Sequence, residues 1–389
     1  LASEHAVPRV RDDASPVVNC LYKSAINADF LLGVKVKMKQ KFEMDEKVVM
    51  GKLNEAYRIR AVVLQFIPFG DSAYSYLLHC DGGERYYVKL FDLRNDHQRR
   101  GSEKLSYYLP LTWQLYHEGD FQQLTWPIRT VNGDFSMTLS GSCTIVLFNY
   151  IAGATLADDY PFSPETVSSI ARLAARLHPV VPSQSTFAAD RVMLPTESFD
   201  ISFVPALQNC LKLLASHEGS DDPIVQSLRA ALLPERERVS EMLNRMQQMQ
   251  VRSLQDNRTM VLCHGDMWGG NLIRGEEGEL YLIDWESVMI APIEFDLLGY
   301  IGEEFSTYLT AYEQELGHAV NLNTEVLRFY CYRHHLRNLT NWLQNLLVRT
   351  MSPEQRANDL DMILHHCMNR WDGIEPQVHA MELFLRDRK

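Results

Sequence analysis

Two short apolar runs, at 260–263 and 280–283, each end in a cluster of polar residues, and this pattern constrains the chain more than any other feature. The first run delivers His264, Gly265 and Asp266, then Asn271; the second delivers Asp284, Trp285 and Glu286. Between them stands Gly275-Glu276-Glu277-Gly278-Glu279, a polar, glycine-containing stretch of the kind that closes a hairpin. The pattern predicts two short strands, 260–263 and 280–283, paired in one hairpin with three oxygen-bearing side chains at one end. Asn271 follows Asp266 by five residues and Asp284 follows it by eighteen. That spacing sets Asn271 beside Asp284 and leaves Asp266 pointing outward from the loop. Magnesium takes hard oxygen ligands and usually keeps several waters, so such a pair plus substrate phosphates suffices to hold it. The outer Asp266 is then placed to accept a proton from a hydroxyl nucleophile.

The rest of the chain can be ordered around that unit. A length of 389 residues favours two lobes over one core. Residues 1–50 show no clear period, apart from a helical segment at 20–28 and an alternating edge strand at 34–39, and read as an N-terminal extension. From 59 the pattern is β: apolar runs at 59–69, 73–79 and 85–91, separated by turns, predict an antiparallel meander whose third strand carries Lys89. Helices follow over 96–117, with Pro110 ending or kinking the first. Segments 128–131 and 136–139 read as a hairpin around Asn132-Gly133, 144–150 as a buried strand and 149–153 as a linker. Beyond it the period becomes helical. Ser163-Pro164-Glu165 is a helix start, with an N-cap, a proline in the first turn and an acid behind it. Further helices fit 202–216, 223–232, 234–250, 297–316, 324–349, 353–370 and 376–386. The expected fold class is α+β: an N-lobe of antiparallel sheet plus helix over 51–150, and a larger, mostly helical C-lobe over 151–389.

Composition narrows the partners. A formal charge of -12 argues against a general nucleic-acid binder. No apolar run approaches the roughly 20 residues that cross a bilayer, and no signal-peptide core is expected at the N-terminus. Seven scattered cysteines without a C-x-x-C pair predict free thiols in a cytoplasmic setting and no zinc site. His334 and His335 lie in an apolar-periodic helix and read as packing or surface residues; Trp285 and Trp342 read as core or pocket wall.

Protein kinases use an Asp-x-x-x-x-Asn loop and a later metal-binding Asp in the roles inferred above. Here His264-Gly265-Asp266-x-x-x-x-Asn271 followed by Ile283-Asp284-Trp285-Glu286 resembles the aminoglycoside phosphotransferase and choline kinase-like family, with a layout similar to its spectinomycin-kinase-like branch. The resemblance extends to Tyr87-Val88-Lys89, to the segment Leu173-Ala174-Ala175-Arg176-Leu177-His178, and to 292–296. It implies a bilobal protein-kinase-like fold and an enzyme that uses ATP and magnesium to phosphorylate small-molecule hydroxyls. It implies Asp266 as catalytic base, Asn271 and Asp284 as magnesium ligands, and Lys89 on the ATP α/β-phosphates. His264 and Asp296 would brace the loop by hydrogen bonds, and the backbone of Phe148, Asn149 and Tyr150 would meet the adenine. Glu103 is the expected ion-pair partner of Lys89, with Glu118 as the other candidate. The chain departs from protein kinases in having Phe69-Gly70-Asp71-Ser72 where a glycine-rich phosphate loop would stand, and it has no P-loop motif.

The acceptor is expected to carry an amine. From 275 to 320 there are eleven carboxylates and no lysine or arginine, and Glu286, Glu303 and Glu304 stand close enough to the hairpin to line a pocket beside Asp266. A negative, partly desolvated cleft attracts cations. Aminoglycoside or aminocyclitol antibiotics come first, choline-like amino alcohols or sugars second. A protein kinase is disfavoured because Ala291-Pro292-Ile293-Glu294 follows Asp284 too closely for an activation segment. A non-catalytic nucleotide-binding scaffold is the alternative from a different class. The oligomeric state stays open between monomer and homodimer.

Overall fold

The computed structural model describes residues 41–68, 72–119, 121–180, 193–255 and 258–388. The segments expected at 20–28 and 34–39 lie outside them. The first described element is helix α1 (Glu46–Tyr57), capped by the Asp45 side chain, which accepts from the Lys47 and Val48 N–H groups. Its buried residues, Val49, Leu53 and Tyr57, recur every fourth position and form one stripe. That stripe lies on a five-stranded antiparallel sheet ordered β1-β2-β3-β5-β4, with β1 Ala61–Ile67, β2 Tyr74–Cys80, β3 Arg85–Asp92, β4 Met137–Ser140 and β5 Cys143–Asn149. Side chains alternate along a strand. Tyr76, Leu78, Val88, Leu90, Ile145 and Leu147 therefore pack with α1. Phe91, Val146 and Phe148 join the larger core on the other face, with Tyr87 against it. Lys89 shares the register of Tyr87 and Phe91, so the period of two alone directs it away from α1 and toward the second lobe.

After Asn95, which caps helix α2 (Asp96–Glu103) by accepting from His97 and Gln98, the chain breaks at Lys104 and continues as α3 (Leu105–His117). Pro110 lies inside α3 and ends nothing; the break comes instead where the polar α2 gives way to the apolar face of Leu105, Tyr108, Leu109 and Leu115. The hairpin expected around Asn132-Gly133 is also different. The tight turn is present, with Thr130 N–H donating to Asp134, but the arm before it is bonded elsewhere: Ile128 N–H to Leu147 O and Val131 N–H to Ala56 O. Only β4 is a strand, and it pairs with β5.

The main correction concerns the unit read as one hairpin. β7 (Val261–Cys263) pairs with β10 (Met289–Ala291) in a two-stranded sheet. β8 (Leu272–Gly275) pairs with β9 (Leu280–Leu282) on one side and with β6 (Gly153–Thr155) on the other. The turn at 275–279 does close a hairpin, but its first arm is β8. A short helical turn at Gly269–Asn271 reverses the chain after the loop, and this frees Leu272-Ile273-Arg274 for the pairing.

Helices make up most of the second lobe: α4 (Pro164–Leu177), α5 (Val204–Ser216), α6 (Pro223–Leu232), α7 (Arg236–Gln255), α8 (Glu294–Leu297), α9 (Phe305–Leu316), α10 (Thr324–Leu347), α11 (Pro353–Asp361) and α12 (Trp371–Asp387). Ser163 caps α4 through Thr166 N–H, with proline in the first turn, as its sequence predicts. α12 begins at Trp371 and carries Pro376 inside it. α10 is the spine, in contact with α5, α7 and α12, while α9 packs on α4. Among the described residues, no helix is long and apolar enough to cross a membrane.

Candidate active site

The loop after β7 is held by its backbone. Gly265 has φ +83, and a Cβ there would lie 2.2 Å from the Ser287 carbonyl oxygen, so glycine is required. Asp296, on α8, accepts the His264 N–H on Oδ2 and the Gly265 N–H on Oδ1, both at 2.7 Å. His178 Nε2 stands 3.2 Å from the same Oδ2, and its Nδ1 meets the Tyr312 hydroxyl at 2.7 Å. Burial would raise the Asp296 pKa, but His178 and the backbone donors outweigh it and hold the carboxyl below its ordinary range. His264 is fully buried, with Nε2 3.0 Å from the Ile283 carbonyl. That oxygen can only accept, so Nε2 carries the hydrogen. The ring meets Trp285 edge-on at 4.9 Å. The structure thus brings both expected bracing residues to the loop. Cys263 lies buried beside His178 and Asp296, but burial pushes its thiol far up and its sulfur faces the Ala291 and Pro292 carbonyls. A protonated thiol is a poor metal ligand.

Asp266 and Asn271 are joined directly. The Asn271 amide donates to the Asp266 carbonyl at 2.9 Å and to Asp266 Oδ2 at 2.7 Å, which leaves the amide oxygen available as an acceptor. Ile283 N–H donates to the Asn271 carbonyl at 3.0 Å, so the residue before Asp284 is tied to Asn271. Asp284 has φ +62 and ψ +67, a left-handed conformation uncommon for a non-glycine residue and typical of strained functional positions. Burial raises the Asp266 pKa, against the pull of His264 and Asn271. An amide oxygen at the end of the 269–271 turn and a carboxylate that is 38% exposed, just after β9, are hard-oxygen donors of the kind that suit magnesium.

Lys89 reaches this set from the sheet. Its Nζ lies 2.9 Å from Asp284 Oδ1 and 3.0 Å from Glu286 Oε1, and Ser72 Oγ donates to the same Glu286 oxygen at 2.5 Å. Burial opposes the Lys89 cation, but the two carboxylates outweigh burial and hold its pKa well above that of an ordinary lysine. Asp284 is correspondingly lowered: burial would raise it, and Lys89 prevails. Glu103 is not the partner. It is 62% exposed and bonded to Arg99 at 3.1 Å on the polar face of α2. Glu118 caps the end of α3 and is exposed. Glu286 takes the place expected for them, and so is turned to Lys89 and not toward an acceptor pocket.

Phe148 and Asn149 end β5. Asn149 exchanges hydrogen bonds with Trp126, through N–H to O at 3.1 Å and Oδ1 from N–H at 2.7 Å, while the Tyr150 ring lies under the Arg85 guanidinium at 4.3 Å. Three residues on, β6 begins the second lobe's sheet. The carboxylates of the acidic run go to many places. Glu276 and Glu277 are exposed in the turn, Glu279 accepts from Tyr281, Glu294 caps Asn323 N–H, Glu313 meets Arg388 and Glu315 pairs with Arg176. Glu303 is exposed; Glu304 is half-buried at the start of α9, near Tyr160. The Tyr160 hydroxyl accepts the Gly269 N–H at 2.9 Å. Tyr160, His178 and the Glu286–Lys89 pair were not identified from sequence. Only His178 left a signal there, at the end of the motif 173–178.

A family model described as "phosphotransferase enzyme family" matches residues 63–330. The chain belongs to this family. Its fold is protein-kinase-like, and the family and the solved structural neighbours are small-molecule phosphotransferases and kinases. This phosphotransferase is similar to the crystal structure of spectinomycin phosphotransferase in complex with ADP and spectinomycin, with a TM-score of 0.68, 17% identity, and coverage of 88% of this chain and 99% of that one. It is similar to an aminoglycoside phosphotransferase from Alicyclobacillus acidocaldarius subsp. acidocaldarius DSM 446 (TM-score 0.52, 14% identity, 89% and 99% coverage). It is also similar to amicoumacin kinase in complex with AMP-PNP, Ca2+ and Ami (TM-score 0.52, 16% identity, 82% and 93% coverage). At these identities the likeness concerns the fold. Comparison with curated protein sequences finds no match.

Proposed function

We propose that the protein transfers the γ-phosphoryl group of ATP, with magnesium, to a hydroxyl of a small acceptor. One observation carries the reading: Asp266, Asn271 and Asp284 converge on one loop pair, and Lys89 crosses from the other lobe to within 2.9 Å of Asp284. Asn271 and Asp284 would hold the metal, Lys89 the α/β-phosphates, and the strand end at Phe148–Tyr150 the adenine. The metal, when bound, neutralises charge developing on the phosphates. Asp266 orients the acceptor hydroxyl and takes its proton at a carboxylate oxygen. Its raised pKa makes it a stronger base than an ordinary aspartate. Asp296 and His264 hold the loop and Asn271 holds the Asp266 carboxylate, so little reorganisation is left for the moment of transfer.

For the acceptor, an amine near the reacting hydroxyl is supported by Asp266, Asp284 and the half-buried Glu304, a smaller set than the acidic run suggested. Aminoglycosides and aminocyclitols fit this, and the solved relatives bound to spectinomycin and amicoumacin are consistent with it. Choline-like amino alcohols and sugars are the second reading. The six described cysteines are free and buried, in keeping with a reducing cytoplasm. The test is ADP release from magnesium-ATP across aminoglycosides, aminocyclitols, amino alcohols and neutral sugars. Acceptor-stimulated release with amine-bearing compounds is expected. Turnover confined to neutral sugars would remove the amine, and nucleotide binding without stimulated release by any compound would favour a scaffold.

A further inference from the structure

A cavity of about 230 Å³ opens between the segment 196–203, Met289 at the start of β10, Phe295 on α8, and one face of α10 that carries Arg333 and Arg337. Two of these walls adjoin the site, since β10 pairs with β7 and Phe295 precedes Asp296. The two arginines, one helical turn apart, are in opposite states. Arg333 is buried and closed: it binds both oxygens of the buried Glu197, at 2.9 and 2.5 Å, and its guanidinium lies 4.9 Å from the Tyr330 ring centre. That pair is neutral as a unit. Arg337 makes no hydrogen bond or ion pair with any described residue. Its side chain lines the cavity and is exposed to solvent.

The surroundings of Arg337 favour an anion. Burial and Arg333 both weigh against its cation, whereas Glu197 and Asp266 favour it. The cavity walls Met289 and Phe295 lie on the elements that flank the Asp266 loop, β10 paired with β7 and α8 carrying Asp296. Asp200, the other charged lining group with no arginine partner, is turned to the Ser202 N–H at 3.1 Å and hydroxyl at 2.6 Å. Along α10, His334 and His335 are pushed down to about 4 and about 3, by burial first and then by neighbouring positive groups, so neither is charged at neutral pH. Arg370 is one of those positive groups. An arginine that lines a cleft with no partner among the described residues is open to a ligand, and a bidentate oxyanion is the ligand whose geometry its planar fork matches.

We infer that the cavity is the far end of the acceptor site, and that Arg337 there binds a carboxylate, sulfate or phosphate carried by the acceptor, whose hydroxyl lies at Asp266. This rests on the phosphotransfer reading above and deepens it. Carboxylates gather at the reacting end and an unpaired cation at the other, so the acceptor that fits is bipolar.

The test compares matched acceptors that differ in the acidic group: glucuronate with glucose, and glucosamine 6-sulfate or 6-phosphate with glucosamine. In the wild-type protein the acidic member should have a kcat/KM at least about tenfold higher. Arg337→Ala should bring that ratio to about one, and Arg337→Lys, which keeps the charge and loses the fork, should fall between. A wild-type preference for the neutral members, or a ratio unchanged in Arg337→Ala, would overturn the subsite. Calorimetric titration of glucuronate and glucosamine 6-sulfate into both proteins separates this from failure of the kinase reading. Binding that the wild type shows and Arg337→Ala loses upholds the subsite even where no transfer occurs, and that absence of transfer then counts against phosphotransfer alone. Equal binding by both proteins, or none by the wild type, overturns the subsite.

Discussion

In the proposed mechanism, the loop that carries Asp266 and the cluster that holds Lys89 solve one problem, placing a charge beside the nucleotide's reacting end, by opposite means. Asp266 sits on a loop fixed through backbone N–H groups, with buried Asp296 accepting two of them and His178 behind it. Lys89 is fixed only by other charges, Asp284 and Glu286, reaching across from the second lobe. The first arrangement is a set of buried hydrogen bonds among loop backbone, Asp296 and His178. The second is a set of ion pairs that a bound phosphate must share. Disturbing the loop should therefore abolish chemistry or folding, while disturbing the cluster should change nucleotide affinity.

The largest effect is expected at the base. Asp266→Asn should lower the transfer rate by about 10²–10⁴-fold while leaving magnesium-ATP affinity, measured by calorimetry, near that of the wild type. Wild-type turnover would remove Asp266 from the chemistry. The raised pKa adds a pH signature. Since the base acts deprotonated, activity should fall as pH drops through a midpoint above the ordinary carboxylate value of about 3.9, and a rate profile flat down to that value would contradict it.

Next comes the brace. Asp296→Ala leaves two loop N–H groups and His178 without their buried acceptor, a loss of about 3–5 kcal/mol of unfolding free energy in urea denaturation. The pKa shift here is opposite to that at Asp266, although the loss again comes as pH falls. The folded pKa of Asp296 is depressed, so its contribution is complete above the unfolded value of about 3.9 and is lost as pH falls through the lower folded value. A variant as stable as the wild type would mean that the loop is held by other contacts.

Glu286→Gln tests the other arrangement. It keeps the shape but removes one of the two charges facing a lysine that is 10% exposed. The KM for magnesium-ATP should change by about tenfold, as expected for a charge-assisted bond between poorly solvated groups, with smaller effects on stability than at Asp296. A change under twofold would leave Asp284 as the sole partner that matters to Lys89.

The same difference explains what the sequence made readable. Asp266, Asn271 and Asp284 lie within one short stretch, where fixed spacing encodes their proximity, and the period of two in β3 gives the direction of Lys89. Strand pairing was misjudged because apolar runs identify strands without identifying partners: β7 prefers β10 over β9, and β8 was too short and mixed to stand out. Cross-lobe contacts were the hardest to read. Lys89 and Glu286 are 197 residues apart, and nothing local separates Glu286, turned inward, from Glu303, left exposed. The acidic run misled for a related reason. Sequence gives the density of carboxylates, while the fold decides whether each one caps a backbone, pairs with an arginine or faces a cavity.

The smallest predicted effect is the one that most sharpens the comparison. In the protein-kinase arrangement a glutamate on the helix after the third strand holds the lysine, and Glu103 occupies that stretch of sequence. In this protein Glu103 is 62% exposed and paired only with Arg99, itself half-exposed on the same helix face. Such i, i+4 pairs in water contribute little, about 0.3–0.5 kcal/mol at most. Glu103→Ala should accordingly change unfolding free energy by no more than about 0.5 kcal/mol and the KM for magnesium-ATP by less than a factor of about two. Measured beside Glu286→Gln, it asks which lobe supplies the lysine's carboxylate. A loss at Glu103 equal to or greater than that at Glu286 would mean that α2 swings inward when nucleotide binds, and that the Lys89–Glu286 pair belongs to the nucleotide-free state alone.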